Sequence, residues 1–99
     1  MKLKNPKAKG TRIEKKAIEE LKKAHGCFLV VRSAGSKGIF DLVGIGGSIC
    51  YLVQVKARNK PKPLPKEIER IKLMPKPRYA WRGLWVWDSK MKTFHKFWY

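Results

Sequence analysis

The chain has 99 residues, enough for one compact domain with a single hydrophobic core and too few for two. It contains no apolar run long enough to cross a membrane, and its basic N-terminus lacks the apolar segment of a secretory signal. Lysine and arginine number 24 against 7 acidic residues, a formal net charge of +17. Solubility alone needs no such excess, so the charge predicts a polyanionic partner.

Nucleic acid is the first candidate for that partner, because lysine and arginine that neutralise phosphates release bound counterions. An anionic membrane surface is the second candidate. The sequence contains no helix that combines a basic face with a large apolar one, which argues against the membrane.

The cysteine content indicates a reducing compartment. Cys27 and Cys50 both lie in apolar runs, which favours two reduced, buried thiols over a disulfide. Their spacing matches no zinc motif. We therefore expect a cytoplasmic protein, or one of the host cytoplasm if the source is a virus.

The N-terminal residues predict a flexible arm followed by a helix. Residues 1–10 are polar and basic, and they precede a single domain over 11–99. The apolar spacing predicts an amphipathic helix over 12–24. Thr11 is its expected N-cap, with Glu14 at the spacing of a capping box.

Gly26 follows the helix at a C-cap position, and the rest of the chain alternates apolar strands with turns. The remaining predicted elements are strands over 27–34, 39–45 and 48–57, a helix over 66–73 opened by Pro65, and strands over 84–88 and 93–99. The order αβββαβ(β) predicts an α+β domain with a central mixed, mostly antiparallel sheet and flanking helices.

Three polar residues, Asp41, Gln54 and Lys56, lie within the apolar hairpin predicted over 39–57. A two-residue glycine turn would place Asp41 opposite Leu52, with all three polar side chains on one face of the sheet. A four-residue loop keeps this alignment of faces, whereas a three-residue loop breaks it.

These residue types suit metal and phosphate chemistry. Carboxylate and amide oxygens are ligands for Mg²⁺, and a nearby lysine can stabilise phosphoryl charge or help to activate water. The structural alternative is an ion pair between Asp41 and Lys56 at a sheet edge, with no chemistry attached.

Four segments carry a resemblance to a known family: 9-KGTRIE-14, 30-VVRSAGSKG-38, 40-FDLVG-44 and 54-QVK-56. Together they strongly resemble the archaeal Holliday junction resolvases of the PD-(D/E)XK nuclease superfamily. The similarity runs from about Lys9 to Arg58 and implies a restriction-endonuclease-like fold. From Asn59 onward only the predicted order of elements matches, and family members are longer at the C-terminus.

The resemblance implies a role for each matching residue. Glu14 resembles the metal carboxylate of the first helix, a role that competes with helix capping. Asp41 resembles the metal aspartate of the signature, and Lys56 the lysine that polarises the attacking water or the scissile phosphate. Arg32 matches a strand arginine that contacts the active-site phosphate; an ion pair with Asp41 is the alternative.

Two residues depart from the family pattern. Phe40 stands where the superfamily name indicates proline, a position that varies widely. Gln54 stands where the second carboxylate is usual, and an amide brings only a dipole to Mg²⁺, so metal affinity should fall. The amide oxygen can still ligate, and the backbone carbonyl of Val55 can share the task. We therefore expect an active site in which Glu14, Asp41, Gln54 and Val55 hold Mg²⁺, with Mn²⁺ able to substitute.

The implied reaction is hydrolysis of a DNA phosphodiester by a Mg²⁺-activated water, leaving a 5′-phosphate. The implied assembly is a symmetric homodimer with one site in each subunit, acting on four-way junctions in DNA recombination or repair. Two alternatives stay open: a related nuclease acting on flaps, nicks or plain duplex in repair, defence or viral processing, and a catalytically silent DNA-binding homologue. The likeness and the lysine content suggest an archaeal or viral source.

A wider set of residues is expected to contact DNA. These are Arg12, Lys15, Arg32, Ser33, Ser36, Lys37, Arg58 and Lys60. The two serines could equally serve only the turn at 35–38. The basic, proline-rich segment 56–66 is either a cationic rail along the DNA backbone or a solvated linker.

Aromatic residues between 81 and 99 exceed what so small a core can bury, so some should be exposed. Dimer contact is the favoured role for them. Base stacking is the less favoured alternative, because stacking platforms combine aromatic residues with clefts and this sequence reveals no cleft.

Overall fold

A computed structural model describes residues 6–32, 39–58 and 60–99. Its elements are α1 (Pro6–Ala24), β1 (Leu29–Arg32), β2 (Leu42–Ile45), β3 (Cys50–Ala57), α2 (Pro65–Leu73), β4 (Ala80–Asp88) and β5 (Thr93–Trp98). The five strands form one sheet in the order β1-β2-β3-β4-β5. The pair β3–β4 is parallel and the other three pairs are antiparallel. The predicted α+β class with a mixed sheet and two helices is confirmed.

Helix α1 is longer than the sequence pattern indicated. It begins at Pro6 rather than at residue 12, and proline suits a first helical turn because its missing N–H would have no partner there. Residues 6–10 are therefore helical where an arm was predicted. Thr11 lies inside the helix, so the predicted N-cap is wrong and Glu14 is not part of a capping box. Residues 1–5 lie outside the described part of the chain.

The C-terminal end of α1 agrees with the prediction. Gly26 has a φ of +67°, a left-handed conformation that glycine adopts without steric cost. The amide of Cys27 then donates a 3.0 Å hydrogen bond to the carbonyl of Leu21. This hydrogen bond ends the helix, and the chain continues into β1 a few residues later.

The two helices cover opposite faces of the sheet. Ala17 and Leu21 of α1 pack against Trp85 of β4, whereas Ile71 of α2 packs with Leu84, the residue beside it in β4. Neighbouring residues in a strand point to opposite faces, so the sheet lies between two helical layers, each enclosing its own apolar cluster. Cys27 and Cys50 are both free thiols, as predicted; Cys27 is buried as expected, whereas Cys50 is only partly buried.

The β2–β3 hairpin differs from prediction in its loop and agrees in its faces. Ile45 pairs with Cys50 rather than Ser48, so the loop has four residues, 46–49, closed by a 2.8 Å hydrogen bond from the amide of Gly46 to the carbonyl of Ile49. The two-residue turn is wrong. A shift of two residues keeps every side chain on its expected face.

The second half of the chain follows the predicted order, with an earlier start to β4. This strand begins at Ala80 rather than at residue 84, since it runs beside β3 along the whole length of that strand. Trp98 of β5 pairs with Gly83 of β4. A Cβ at Gly83 would lie 2.6 Å from the Trp98 ring, so the glycine makes room for that indole against the strand.

Candidate active site

Asp41 precedes β2 and continues its pairing with β3 by means of its side chain. Its amide donates a 2.8 Å hydrogen bond to the carbonyl of Val53, and its Oδ2 accepts a 2.7 Å bond from the amide of Val55. The last backbone pair of the two strands is Leu42 with Val53. A carboxylate oxygen therefore stands where a backbone carbonyl would continue the ladder, which fixes Asp41 at the edge of β3.

The surroundings of Asp41 disfavour its charged form. Burial raises the pKa of this carboxyl, and the negative charge of Glu14 raises it further. The hydrogen bond from Val55 and the positive charge of Lys56 act against the increase in pKa without cancelling it. A half-buried carboxylate held beside a second carboxylate is an arrangement that a cation stabilises.

Gln54 and Val55 bring two further oxygens to this end of β3. Within a strand the N–H and C=O of one residue point to the same side, so the Val55 carbonyl faces the side on which Asp41 lies. Gln54 stands one position beyond the last β2–β3 backbone pair. Its Oε1 is buried and has no hydrogen-bond partner among the residues that the structure describes. Such an oxygen costs stability unless something binds it.

Lys56 lies between two carboxylates on the α2 side of the sheet. Its charge acts on the pKa of both Asp41 and Glu67, yet it forms no ion pair with Asp41, although both residues are described. The structural alternative of an Asp41–Lys56 ion pair is therefore wrong. The Lys56 ammonium is left near Asp41, as a phosphate-binding or water-polarising group requires.

Glu67 belongs to this neighbourhood and was not foreseen from the sequence. It accepts hydrogen bonds from the Arg58 guanidinium and, at 3.1 Å, from the amide of Leu64 at the start of α2. Burial acts to raise its pKa, but these bonds and the charges of Arg58 and Lys56 outweigh burial and lower it. Its spacing after Pro65 indicates a capping residue, whereas its approach to β3 depends on the tertiary fold.

Glu14 and Arg32 form an ion pair across α1 and β1. The Glu14 Oε1 atom lies 2.9 Å from an Arg32 terminal nitrogen and accepts a 3.2 Å hydrogen bond from its Nε. The partner of Arg32 is thus Glu14 and not Asp41, the alternative predicted for it. The Arg32 side chain is 52% exposed and that of Glu14 25%, so the pair is open to solvent on its arginine side. Glu14 affects the pKa of Asp41 from this position.

The donors present fit a magnesium ion only in part. In the described ranges no group of three His, Cys, Asp or Glu side chains is arranged to hold a metal. The oxygens that could bind Mg²⁺ are those of Asp41, Gln54 and the Val55 carbonyl, joined by Glu14 if it exchanges Arg32 for the metal. They are hard oxygen donors, as Mg²⁺ prefers.

A basic cavity of about 250 Å³ opens between α1 and the C-terminal ends of β3 and β4. Its lining residues are Arg12, Ile13, Lys16, Ala57, Arg58, Trp87 and Ser89. Lys16 places its ammonium 5.4 Å from the centre of the Trp87 ring. The cavity has the charge and the hydroxyl donor that a phosphate group needs. Lys16, Trp87 and Ser89 were not predicted, because only the packing of α1 on the sheet and the parallel β3–β4 pairing bring them together in this cavity.

The predicted DNA contacts divide into three groups. Arg12, Lys15 and Lys60 are exposed. Arg32 and Arg58 are engaged in ion pairs, Arg32 with Glu14 and Arg58 with Glu67, and Arg58 also donates at 2.8 Å to the carbonyl of Lys62. The remaining three, Ser33, Ser36 and Lys37, lie outside the described residues together with the predicted turn at 35–38.

Comparison with known proteins gives no family assignment. No protein-family model matches the chain, and no curated protein has a significantly similar sequence. Within the ranges that the structure describes, neither helix is both long and apolar enough to span a membrane.

Proposed function

We propose that this protein is a metal-dependent DNA endonuclease that hydrolyses phosphodiester bonds, with four-way junctions or other branched DNA as its substrate. The observation that carries the proposal is the half-buried Asp41 carboxylate fixed on the Val55 amide, beside Lys56 and the Gln54 amide oxygen, which has no hydrogen-bond partner among the described residues. These groups belong to the segments that resemble the archaeal Holliday junction resolvases. The α+β fold, with one five-stranded mixed sheet and two helices, supports the proposal at the level of fold class.

In this proposal each residue acts on a phosphodiester at the edge of β3. Asp41 and Gln54, with the Val55 carbonyl and Glu14, would hold a divalent cation, which when bound would activate water and neutralise phosphate charge. Lys56 stabilises the charge that develops on the phosphoryl oxygens. Arg12, Lys16 and Arg58 bind a neighbouring phosphate in the basic cavity. A homodimer would present two such sites to the two strands of a junction.

A catalytically silent DNA-binding protein is the second candidate function. It is favoured by the ion pair that holds Glu14 on Arg32 and by the amide at position 54. Both reduce the negative charge available to a cation, while the net charge of +17 would still attract DNA.

The substrate is tested by incubating the purified protein with a labelled four-way junction and with linear duplexes of the four arm sequences. Parallel reactions contain Mg²⁺, Mn²⁺ or EDTA. The proposal predicts metal-dependent cuts near the branch point that leave 5′-phosphates, and little cleavage of the linear arms. Equal cleavage of arms and junction would support a nuclease of other preference, whereas binding without cleavage in both metals would support the silent protein.

A further inference from the structure

A second aromatic and basic surface lies at the end of the sheet opposite the candidate active site. An open cavity of about 350 Å³ is lined there by Lys76, Arg78, Ala80, Trp81, Trp98 and Tyr99. These residues come from the start of β4, the end of β5 and the loop that follows α2. The candidate active site lies at the opposite ends of β3 and β4, so the two surfaces are separated by the length of the strands.

Trp81 is the exposed aromatic residue of this cavity, and its position is braced. Its side chain is 50% exposed, while the edge of its ring meets Trp98 at a centroid distance of 6.0 Å and an interplanar angle of 85°. Trp98 in turn contacts the fully buried Trp85 at 6.0 Å and 90° and lies against Gly83. A row of indoles therefore connects the exposed ring to the core, so little conformational freedom is left to lose on binding.

The wall beside Trp81 is held in place by Arg82. This side chain donates to the carbonyls of Lys72 at 3.0 Å, Met74 at 2.6 Å and Tyr99 at 3.1 Å. It thus ties the end of α2 to the end of β5. The loop that carries Lys76 and Arg78 starts from this tie.

The charge of the cavity is that of an anion site. Lys76 and Arg78 are both exposed, and none of the described lining residues has a carboxylate side chain. An exposed, rigid indole next to two cations has the two elements that single-stranded nucleic acid requires, a stacking surface for a base and positive charge for its phosphate. The cavity beside Trp81 is thus a cleft of the kind that stacking sites use, and the sequence alone did not reveal it.

We propose that this cavity, termed the Trp81 site, binds an unpaired nucleotide of single-stranded DNA or RNA. The base stacks on Trp81, and Lys76 and Arg78 bind the adjoining phosphate. Paired bases are stacked on one another within a duplex, so the site discriminates single strands from duplex. The proposal does not depend on nuclease activity, because no residue of the candidate active site takes part.

The test is a fluorescence-anisotropy titration of labelled twelve-nucleotide probes in EDTA, which prevents cleavage. The probes are oligothymidine, oligouridine, an abasic oligonucleotide of equal length and a blunt twelve-base-pair duplex. Replacing Trp81 with alanine is expected to weaken binding of oligothymidine or oligouridine about tenfold, the loss expected when one stacking aromatic is removed. Binding of the abasic probe and of the duplex should be unchanged. The oligonucleotide that shows the loss identifies DNA or RNA as the source of the nucleotide.

Matched variants separate stacking from folding and from general charge. Phe28→Ala removes an aromatic side chain that is 72% exposed and lies outside the cavity; it should bind every probe as the wild type does. The double variant Lys76→Ala/Arg78→Ala should bind oligothymidine and the abasic probe more weakly than the wild type, by similar factors. Lys22→Ala with Lys66→Ala, an equal loss of exposed charge elsewhere, should have a smaller effect.

Three results would overturn the proposal. One is that the Trp81→Ala variant binds oligothymidine and oligouridine with wild-type affinity. Another is that this variant loses affinity for the abasic probe and the duplex to the same extent as for the oligonucleotides with bases. The third is a wild-type dimer that Trp81→Ala dissociates in analytical ultracentrifugation with no change in binding to any probe, which would make the cavity a contact between copies of the chain.

Discussion

The Asp41 carboxylate accepts a 2.7 Å hydrogen bond from the backbone amide of Val55. Asp41 lies immediately before β2, where β3 extends beyond its backbone pairing with that strand. This contact places a charged oxygen in the plane of the sheet, beside the Val55 carbonyl and one position beyond the last backbone pair. It fixes Asp41 in a place where burial raises the pKa of its carboxyl. A partly buried carboxyl with a raised pKa is a candidate functional group.

Replacing Asp41 with asparagine is therefore expected to leave the melting temperature unchanged or to raise it. The asparagine side chain still accepts from the Val55 amide but carries no charge to desolvate. Because the folded pKa of Asp41 is raised, its contribution to stability is fully present below the ordinary aspartate pKa of 3.8 and is lost as pH rises through the folded pKa. Thermal unfolding measured from pH 7 down to pH 3.8 should show the difference in melting temperature between the Asp41→Asn variant and the wild type narrowing as the pH falls. A marked loss of stability at pH 7 would identify Asp41 as a structural residue.

Gln54 is expected to determine how tightly the metal binds. Gln54→Glu adds a full charge beside Asp41 and should lower the Mg²⁺ concentration for half-maximal cleavage, on the order of tenfold. Gln54→Leu is the matched control, since it removes the buried oxygen that has no described partner. It should abolish cleavage and, in EDTA, stabilise the fold by about 1–3 kcal/mol in urea unfolding. An unaltered metal requirement in Gln54→Glu would show that residue 54 is not a ligand.

Glu14 is expected to matter for metal binding more than for stability. Its ion pair with Arg32 is partly open to solvent, and such pairs contribute about 0–1 kcal/mol. Glu14→Gln should therefore change the free energy of unfolding by less than about 1 kcal/mol while reducing the rate of Mg²⁺-dependent cleavage. Glu19→Gln, at an exposed carboxylate of the same helix, is the control and should cut at the wild-type rate. Equal rates for all three proteins would exclude Glu14 from the site.

Gly83 is expected to be intolerant of a side chain. A Cβ at this position would lie 2.6 Å from the Trp98 ring, so Gly83→Ala must displace the indole or the strand. We expect a loss of about 1–3 kcal/mol in the free energy of unfolding, the usual cost of overpacking. Gly47→Ala is the control, because a Cβ there meets no atom within 4 Å. Similar stability of the two variants would contradict the close packing of Trp98.

Local patterns were sufficient to predict the elements and the faces of this fold. Gly26 ends α1 because the chain needs a left-handed residue there, and that requirement is visible in sequence. Alternation placed Asp41 on the same face as Gln54 and Lys56 whether the hairpin loop had two or four residues. The start of α1 was missed because Pro6 reads as a helix breaker, although at a first turn it is a favourable residue.

The rest of the site depends on contacts between distant segments. Glu67 reaches Arg58 and the surroundings of Lys56 only because α2 packs beside the sheet. Trp87 reaches Lys16 only because α1 packs on the sheet and β4 lies parallel to β3. The choice of Glu14 over Asp41 as the partner of Arg32 is likewise a tertiary outcome, since β1 places Arg32 on the α1 side with Leu42.

The central claim is that Asp41 holds a catalytic metal, and the most direct measurement is the single-turnover cleavage rate of a four-way junction in Mg²⁺. Wild type and Asp41→Asn are compared at equal concentration, after circular dichroism has shown both to be folded and anisotropy in EDTA has shown both to bind the junction. We predict metal-dependent cleavage by the wild type and none by Asp41→Asn. Equal cleavage by the two proteins, or no cleavage by the wild type in either Mg²⁺ or Mn²⁺, would contradict it.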